Sequence, residues 1–184
     1  MRVGIYTFGI DSVELPSYGT EMASCFDLSY QNPELLPITA YDVNGKKTIL
    51  VNFTEGKFDL RPGERALVRT SMIFDLPQHH DMRVHPRSGL SIKNGITLVN
   101  CEGVIDEDYT GEILIPVINL SQVTFVFEPG MRIAQAEILR KIPVVTDPPW
   151  ANVYRQRAQF FRLDSAPEPK GDRSGGFGST GTKL

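Results

Sequence analysis

The residues best suited to chemistry lie in one acidic stretch, GVIDEDYTGE, at residues 103–112. Asp106 follows two apolar residues, so a carboxylate held there in a partly dry environment could work as a general base. Tyr109 comes three residues later and can place an aromatic face against a sugar or a base. The alternative is an acidic turn that faces solvent, and for this stretch taken alone the pattern favours that alternative.

The sequences on either side predict how this stretch is held. Residues 95–99 and 113–118 are apolar and β-branched, which predicts a β-hairpin arm. Gly103 and Gly111 can adopt positive φ angles, and Gly103 also permits a backbone or a flat ligand to approach closely. An arm of this kind offers backbone N–H and C=O groups to the edge of a planar base.

A second stretch, HPRSGLSIKNG at residues 85–95, combines the donors that bind phosphate. Arg87, Ser88 and Gly89 supply a guanidinium, a hydroxyl and an unobstructed backbone N–H in succession. The same sequence also suits a helix start, with Ser88 capping a short helix over residues 89–94. The two interpretations are compatible.

Other polar residues have weaker patterns. His79, His80 and His85 suggest a metal site, but no cysteine or carboxylate completes a ligand set at a familiar spacing, so a surface loop is favoured. Asp27 lies in a predicted strand, residues 22–30, and points away from its two apolar neighbours. Either it faces a polar site or it is an ordinary outward residue.

The whole chain predicts an all-β fold. Many short strands, with turns about every ten residues and almost no helical periodicity, indicate a β-barrel or a double-sheet roll. The clearest local signal is a hairpin over residues 38–53, where Asn44 and Gly45 predict a two-residue type I′ turn. We therefore predict a core at residues 1–142 that includes this inserted hairpin.

The C-terminal part differs in composition. Residues 143–170 are rich in proline and predict a connecting arm, whereas residues 171–184 are rich in glycine. Phe177 lies between two glycines in this tail. An aromatic residue and phosphate-type donors on such a segment suit a lid that orders over a nucleotide.

Composition limits the function classes. The chain has 184 residues, 41% of them hydrophobic, and a net charge of -3, which predicts one globular domain and no surface that coats nucleic acid or membrane. No apolar run approaches the ~20 residues that span a bilayer, and the N-terminus lacks a secretory layout. Cys25 and Cys101 are therefore predicted to be free thiols in the cytoplasm.

Five short motifs in order make the chain resemble the trimeric dUTPases: SCFDL (24–28), PRSGLS (86–91), NCEGVIDEDYTG (100–111), GMRIAQ (130–135) and GGFGSTG (175–181). The resemblance implies a distorted jelly roll, a homotrimer with C-terminal arm exchange and active sites shared between subunits. It also implies hydrolysis of dUTP to dUMP and pyrophosphate, by in-line attack of water at the α-phosphorus, with Mg²⁺ held mainly by the triphosphate.

The resemblance assigns roles to individual residues. Asp106 corresponds to the residue that activates the water, Tyr109 packs under the deoxyribose, and Asp27 reaches Mg²⁺ through water. The uracil is read by the arm, through Asn100, Gly103, Val104 and Ile105. Phosphates are contacted by Arg87, Ser88, Gly89 and Gln135, and the tail adds Arg173, Phe177, Gly178 and Ser179 from a neighbouring subunit.

The sequence departs from the family pattern in the tail, where the arginine is displaced by one position to Arg173. Lys170 is an alternative contact for the terminal phosphate. Two other functions remain open. A dCTP deaminase shares the fold, but it needs a glutamate at the exocyclic amine and typically has tryptophan at the position of Tyr109. A dUTP-sensing protein would use the same pocket to control a regulatory protein partner.

Overall fold

The computed structural model describes residues 1–9, 12–50, 53–141 and 158–170, and these residues form β-strands and one short helix. In this part of the chain no helix is long and apolar enough to cross a membrane. The elements are β1 (Arg2–Thr7), β2 (Phe26–Ser29), β3 (Ile38–Tyr41), β4 (Lys47–Leu50), β5 (Phe58–Leu60), β6 (Arg65–Arg69), β7 (Met72–Asp75), β8 (His80–Pro86), α1 (Ser88–Asn94), β9 (Ile96–Leu98), β10 (Gly103–Ile105), β11 (Leu114–Asn119), β12 (Phe125–Phe127), β13 (Arg132–Arg140) and β14 (Gln159–Arg162).

Two sheets carry the residues of interest. One has the strand order β10-β8-β13-β2, and the other has the order β4-β3-β6-β11-β9. Two smaller sheets, β14-β1-β7 and β12-β5, complete the described fold. Neighbouring strands are mostly distant in sequence, as in jelly rolls, so the predicted all-β, jelly-roll class is confirmed.

Alternation of buried and partly buried positions characterises the central strands. In β6 and β11, every second residue is buried, because successive side chains of a strand point to opposite faces. The buried faces meet in one core in which aromatic rings contact each other edge-on or stacked, including Phe26, Phe74 and Phe160. The opposite faces of these two strands are only partly buried.

The predicted hairpin around residues 103–112 is only half correct. β9 and β11 do pair, with Leu98 opposite Val117. The segment between them does not stay in that sheet, because β10 pairs with β8 and places Gly103 opposite Val84. The connection therefore bridges two sheets, and it opens a slot between β10 and β11.

The hairpin of β3 and β4 is present, but the predicted type I′ turn is wrong. That turn needs a positive φ at both central residues, whereas here Gly45 has φ 79° and Asn44 is not among the residues with positive φ. The N–H of Gly45 donates to the Asp42 carbonyl at 3.0 Å. The Asp42 carboxylate also accepts the N–H groups of Asn44 and Lys46, at 2.9 and 2.8 Å, and it stabilises this longer turn.

The C-terminal arm is partly described. β14 pairs in parallel with β1, with Gln159 opposite Arg2, so the second half of the predicted arm is a docked strand. Lys170 forms an ion pair with Asp75 and donates to the Leu76 carbonyl at 2.6 Å. Residues 143–157 and the predicted lid at 171–184 lie outside the described residues.

Candidate active site

The slot between β10 and β11 is a pocket of about 210 Å³. Its walls are apolar and come from β8, β9, β11 and the segment that precedes β11, while the backbone of β10 forms one side. This shape suits a flat ring, because an apolar wall can cover the face while backbone groups meet the polar edge. The lining residues are Val84, Leu98, Asn100, Gly103, Val104, Ile105, Asp106, Tyr109, Ile113, Leu114, Ile115 and Pro116.

Tyr109 is held in place in this slot, which we call the base pocket. Its hydroxyl donates to the Glu112 carbonyl at 3.0 Å, and its N–H donates to the Asp106 carbonyl at 3.1 Å. A Cβ on Gly111 would lie 2.6 Å from the Tyr109 hydroxyl oxygen, so only glycine leaves room for the ring. The aromatic face and the Asp106 carboxylate are thus held within one turn of chain.

Neither glycine of the arm adopts the positive φ that glycine permits. Both glycines serve a close approach instead. A Cβ on Gly103 would lie 3.2 Å from the Val84 Cβ, which would push β10 away from β8. The glycines therefore set distances in the pocket, and the backbone of the arm is ordinary.

A buried ion pair anchors the C-terminal end of the arm. The Glu112 carboxylate pairs with the Arg69 guanidinium, and it accepts the N–H of Ser71 at 2.9 Å. Only 8% of the Glu112 side chain is exposed. Burial raises the pKa of Glu112, and Arg69 and the Ser71 N–H oppose that rise.

A second, exposed anchor holds the middle of the arm. Glu107 accepts the backbone N–H of His79 at 2.9 Å and pairs with Lys141 at 3.4 Å. Partial desolvation acts to raise the pKa of Glu107, but the His79 N–H and the Lys141 charge outweigh it, so the pKa is lowered. The acidic turn is thus tied to the start of β8 and the end of β13.

The phosphate-type donors line a different pocket, of about 540 Å³, at the start of α1. The predicted capping by Ser88 is wrong: the helix begins at Ser88, Arg87 occupies the cap position, and no side chain caps it. The Ser88 hydroxyl is therefore not used in a cap. A Cβ on Gly89 would meet no atom within 4 Å, which leaves open space above this backbone.

Asp27 contacts two arginines of this second pocket, which we call the cationic pocket. Of the two interpretations of Asp27 from the sequence, these contacts favour a polar site. Its carboxylate binds Arg87 at 2.9 Å and Arg132 at 3.0 Å. Gln135 lies opposite Asp27 in the strand register and donates to the Pro86 carbonyl at 3.0 Å. The aspartate therefore fixes two guanidiniums where anionic oxygens could bind.

The donor set also limits what metal could bind. Among the described residues, no group of three or more His, Cys, Asp or Glu side chains could hold a metal ion. Asp27 is a single carboxylate at the edge of the cationic pocket, which suits Mg²⁺, since this ion keeps several waters and is carried by substrate phosphates. The three histidines have other contacts: the His79 N–H binds Glu107, the His80 ring binds the Gln78 carbonyl, and His85 lies between Glu102 and Glu137.

In the described part of the chain, the predicted site residues other than Asp27 divide into two groups, while Asp27 lines an adjacent pocket and contacts Arg87. Asn100, Gly103, Val104, Ile105, Asp106 and Tyr109 line the base pocket, and Arg87, Ser88, Gly89 and Gln135 line the cationic pocket, with no lining residue in common. Arg173, Phe177, Gly178 and Ser179 lie outside the described residues.

Sequence reasoning missed several neighbours of these groups. Arg132 and Lys93 add positive charge to the cationic pocket, and Glu112 anchors the base pocket. Arg132 lies in the motif GMRIAQ, three residues before Gln135, which was an available signal. Arg69 has no local signal, because it is 43 residues from its partner Glu112.

This fold and these pockets define the class of the protein: a jelly-roll protein with an apolar slot for a flat ring and a cationic pocket for an anion. The comparisons with known proteins agree. The chain is 38% identical to the deoxyuridine 5'-triphosphate nucleotidohydrolase of Bartonella bacilliformis, over 92% of this chain and 83% of that protein. The dUTPase family model matches residues 52–142. The chain belongs to the dUTPase family.

Solved structures show the same fold. The dUTPase from Streptococcus mutans superposes with a TM-score of 0.58 at 22% identity, covering 77% of this chain and 98% of that one. A mutant dUTPase from phage phi11 of Staphylococcus aureus, which was solved to describe the coordination of a structural Mg(II) ion, gives a TM-score of 0.56 at 15% identity, covering 80% and 96%.

Proposed function

We propose that the chain hydrolyses dUTP to dUMP and pyrophosphate. The observation that carries this proposal is the base pocket, in which Asp106 and Tyr109 line a largely apolar slot together with β10, the edge strand of its sheet. A pyrimidine in this slot would have its polar edge against backbone groups and the Asn100 side chain. The sugar would then rest on the ring of Tyr109.

The same geometry supports selection of the deoxy sugar. Tyr109 cannot move towards Gly111, because the two are already in close contact, and its hydroxyl is bound to the Glu112 carbonyl. A 2′-hydroxyl on the sugar would need the space that this fixed ring occupies. We therefore assign discrimination between dUTP and UTP to Tyr109.

The chemistry needs an activated water and neutralised phosphates more than a protein nucleophile. Asp106 accepts a proton from the water while the water oxygen bonds to the α-phosphorus. The bond from the α-phosphorus to the bridging oxygen breaks, and pyrophosphate leaves. Arg87, Ser88, Gly89 and Gln135 orient the phosphate oxygens, and Asp27 would hold Mg²⁺ through a water. Mg²⁺, when bound to the triphosphate, neutralises part of its charge.

We infer that the active enzyme is a homotrimer with shared active sites. In support, the base pocket and the cationic pocket of one chain share no lining residue among the described residues. The base pocket of one copy can therefore lie next to the cationic pocket of a neighbouring copy. The fifth motif, with Phe177 and Arg173, would come from a further copy through arm exchange. Lys170 is bound to Asp75 in this structure, which favours Arg173 as the terminal-phosphate contact.

The division of the chain into segments and its cellular compartment are part of the same proposal. We divide the chain into the core at residues 1–142, the connecting arm at 143–170 and a lid at 171–184. Both cysteines, Cys25 and Cys101, are free thiols, which is consistent with a cytoplasmic enzyme.

Two alternatives are disfavoured by the base pocket. A dCTP deaminase needs a glutamate at the exocyclic amine, whereas no glutamate is among the described residues that line this pocket. A dUTP-sensing protein without turnover would have no use for a carboxylate beside the sugar ring, although a second, partner-binding role is compatible with activity.

The deciding experiment is a pyrophosphate-release assay with Mg²⁺ and dUTP, dCTP, dTTP, dATP, dGTP and UTP. We expect turnover of dUTP and little turnover of the others. Release of ammonia from dCTP would show a deaminase. Nucleotide binding without any turnover would show a sensing protein.

A further inference from the structure

We propose that Glu112 is a positioning residue for sugar selection, and that it acts through Arg69, Ser71 and Tyr109. We call these four residues the arm clamp. The inference rests on the proposed function, and it adds a group outside the five motifs of the site. It states that the ion pair of Glu112 sets the position of the Tyr109 ring, and through it the preference for dUTP over UTP.

The first step is the attachment of Glu112, just before β11, to the end of the neighbouring strand β6 and to the turn that follows it. Its carboxylate pairs with Arg69, at the end of β6, and accepts the Ser71 N–H at 2.9 Å, just before β7. The side chains of Glu112 and Arg69 are 8% and 17% exposed. The next residue is held too, because the Thr70 hydroxyl donates to the Ile113 carbonyl at 2.8 Å. Glu112 is therefore fixed in space.

The second step is the backbone at Ser71, which is held in an unfavourable conformation. Ser71 has φ 55°, in the left-handed region that a serine rarely adopts. Its N–H is bound to Glu112, and its hydroxyl donates to the Gln31 carbonyl at 2.8 Å. Such conformations persist where surrounding contacts impose them, and they are frequent at functional sites.

The third step connects the clamp to the pocket. The backbone carbonyl of Glu112 accepts the Tyr109 hydroxyl at 3.0 Å, and Gly111 leaves no free space beside the ring. A shift of Glu112 must therefore move the acceptor of the tyrosine hydroxyl. Because Tyr109 excludes the 2′-hydroxyl sterically, a small movement of the ring would admit a ribose.

The fourth step concerns why an ion pair is used. Buried ion pairs add little net stability compared with apolar residues of similar size, because desolvation offsets their attraction. Burial indeed raises the pKa of Glu112, against the opposing effect of Arg69. The ion pair of Glu112 and Arg69 attaches residues 103–112 through directional, short-range bonds, which apolar contacts do not provide.

The test compares substrate selectivity in Glu112→Gln and the wild-type chain. For Glu112→Gln we expect the ratio of kcat/KM for dUTP to that for UTP to fall about tenfold, as for a misplaced positioning group, mainly because UTP turnover increases. Arg69→Gln should give a similar loss. The double variant should lose little more than either single variant, because both changes break the same contact.

The ratio of kcat/KM for dUTP to that for UTP distinguishes a shift of the Tyr109 ring from a loss of stability, because partial unfolding lowers turnover of both substrates equally. Ile5→Val in β1, in the core and outside the clamp, is the control. It should lower the melting temperature and leave the ratio unchanged. Tyr109→Phe removes only the hydroxyl that binds Glu112, and it should also lower the ratio, which keeps the test informative if Glu112→Gln does not fold.

The outcomes are distinct. If Glu112→Gln keeps the dUTP-to-UTP ratio of the wild-type chain, the clamp is overturned. The same result in Tyr109→Phe overturns it where Glu112→Gln does not fold. In both cases dUTP turnover by the wild-type chain still supports the proposed function. An absence of dUTP turnover in the wild-type chain would overturn the proposed function and the clamp with it. A lower ratio in Glu112→Gln and Tyr109→Phe, but not in Ile5→Val, supports the clamp.

Discussion

The ring of Tyr109 lies so close to Gly111 that a Cβ on the glycine would be 2.6 Å from the tyrosine hydroxyl oxygen and 2.8 Å from Cζ. The backbone of Gly111 is not in the left-handed region, so alanine is compatible with its conformation. The atoms that a Cβ would meet are at the far end of a side chain. A methyl group at this position would therefore displace the ring and leave the backbone nearly unchanged.

Gly111→Ala should consequently lower kcat/KM for dUTP strongly and lower the stability of the fold only slightly. We expect kcat/KM for dUTP to fall about tenfold or more, because the sugar loses its aromatic support. Steady-state kinetics and thermal unfolding together measure the two effects. Gly19→Ala is the matched control, since a Cβ on Gly19 would meet no atom within 4 Å. Wild-type kinetics in Gly111→Ala would contradict the tight contact.

Asp106→Asn should separate chemistry from binding. The amide keeps the size of the side chain but cannot accept the proton of the water, so we expect kcat to fall by about 100-fold or more. Affinity for a non-hydrolysable dUTP analogue, measured by calorimetry, should stay close to wild type. Asp108→Asn, in the same turn, is the control and should retain turnover. Near-normal kcat in Asp106→Asn would remove this residue from the role of base.

Much of the fold could be predicted from local pattern. Alternation of apolar and polar residues identified β1 and the β3 and β4 hairpin, and an apolar, β-branched run identified β11. The motif residues that the structure describes lie at the two pockets, and their roles stay predictions. The strand predictions succeeded because each depends on residues that are close together in the sequence.

The errors have a different physical origin. β10 pairs with β8 and not within the predicted hairpin, and no local pattern encodes which distant strand a short segment joins. The Arg69 and Glu112 pair joins residues 43 positions apart. The turn at Asn44 and Gly45 was decided by the side chain of Asp42, which offers the backbone an alternative set of hydrogen bonds.

Asp27→Asn should raise the requirement for Mg²⁺. The change removes the one carboxylate that binds Arg87 and Arg132, and with it the proposed water-mediated contact to the ion. We expect the Mg²⁺ concentration for half-maximal turnover to rise about tenfold, as for other outer contacts of metal ions. Asp59→Asn, at an exposed position of β5, is the control. An unchanged Mg²⁺ dependence in Asp27→Asn would exclude the aspartate from this role.

Ending the chain before Gly171 should abolish most dUTP turnover without changing the oligomer. The truncation removes Phe177 and Arg173, while β14 and its pairing with β1 remain. We expect kcat/KM to fall about 100-fold or more, because the lid that shields the nucleotide is lost. Light scattering after size exclusion measures the oligomer. Full activity in the truncated chain would show that the fifth motif is dispensable.

The contacts of Glu107 should make the stability that residues 103–112 contribute depend on pH. The pKa of Glu107 is lowered below its ordinary value of 4.5, despite desolvation, by the His79 N–H and Lys141, so its charged form is favoured in the folded state. Its contribution to stability is therefore complete above the ordinary pKa, and it is lost as the pH falls through the lower folded value. Glu107→Gln should be less stable than wild type at neutral pH, and the difference should shrink below about pH 4.5. Urea unfolding across this pH range measures the difference, with Glu168→Gln, at an exposed glutamate outside residues 103–112, as the control. A stability difference that does not change with pH would mean that the carboxylate charge does not hold the arm.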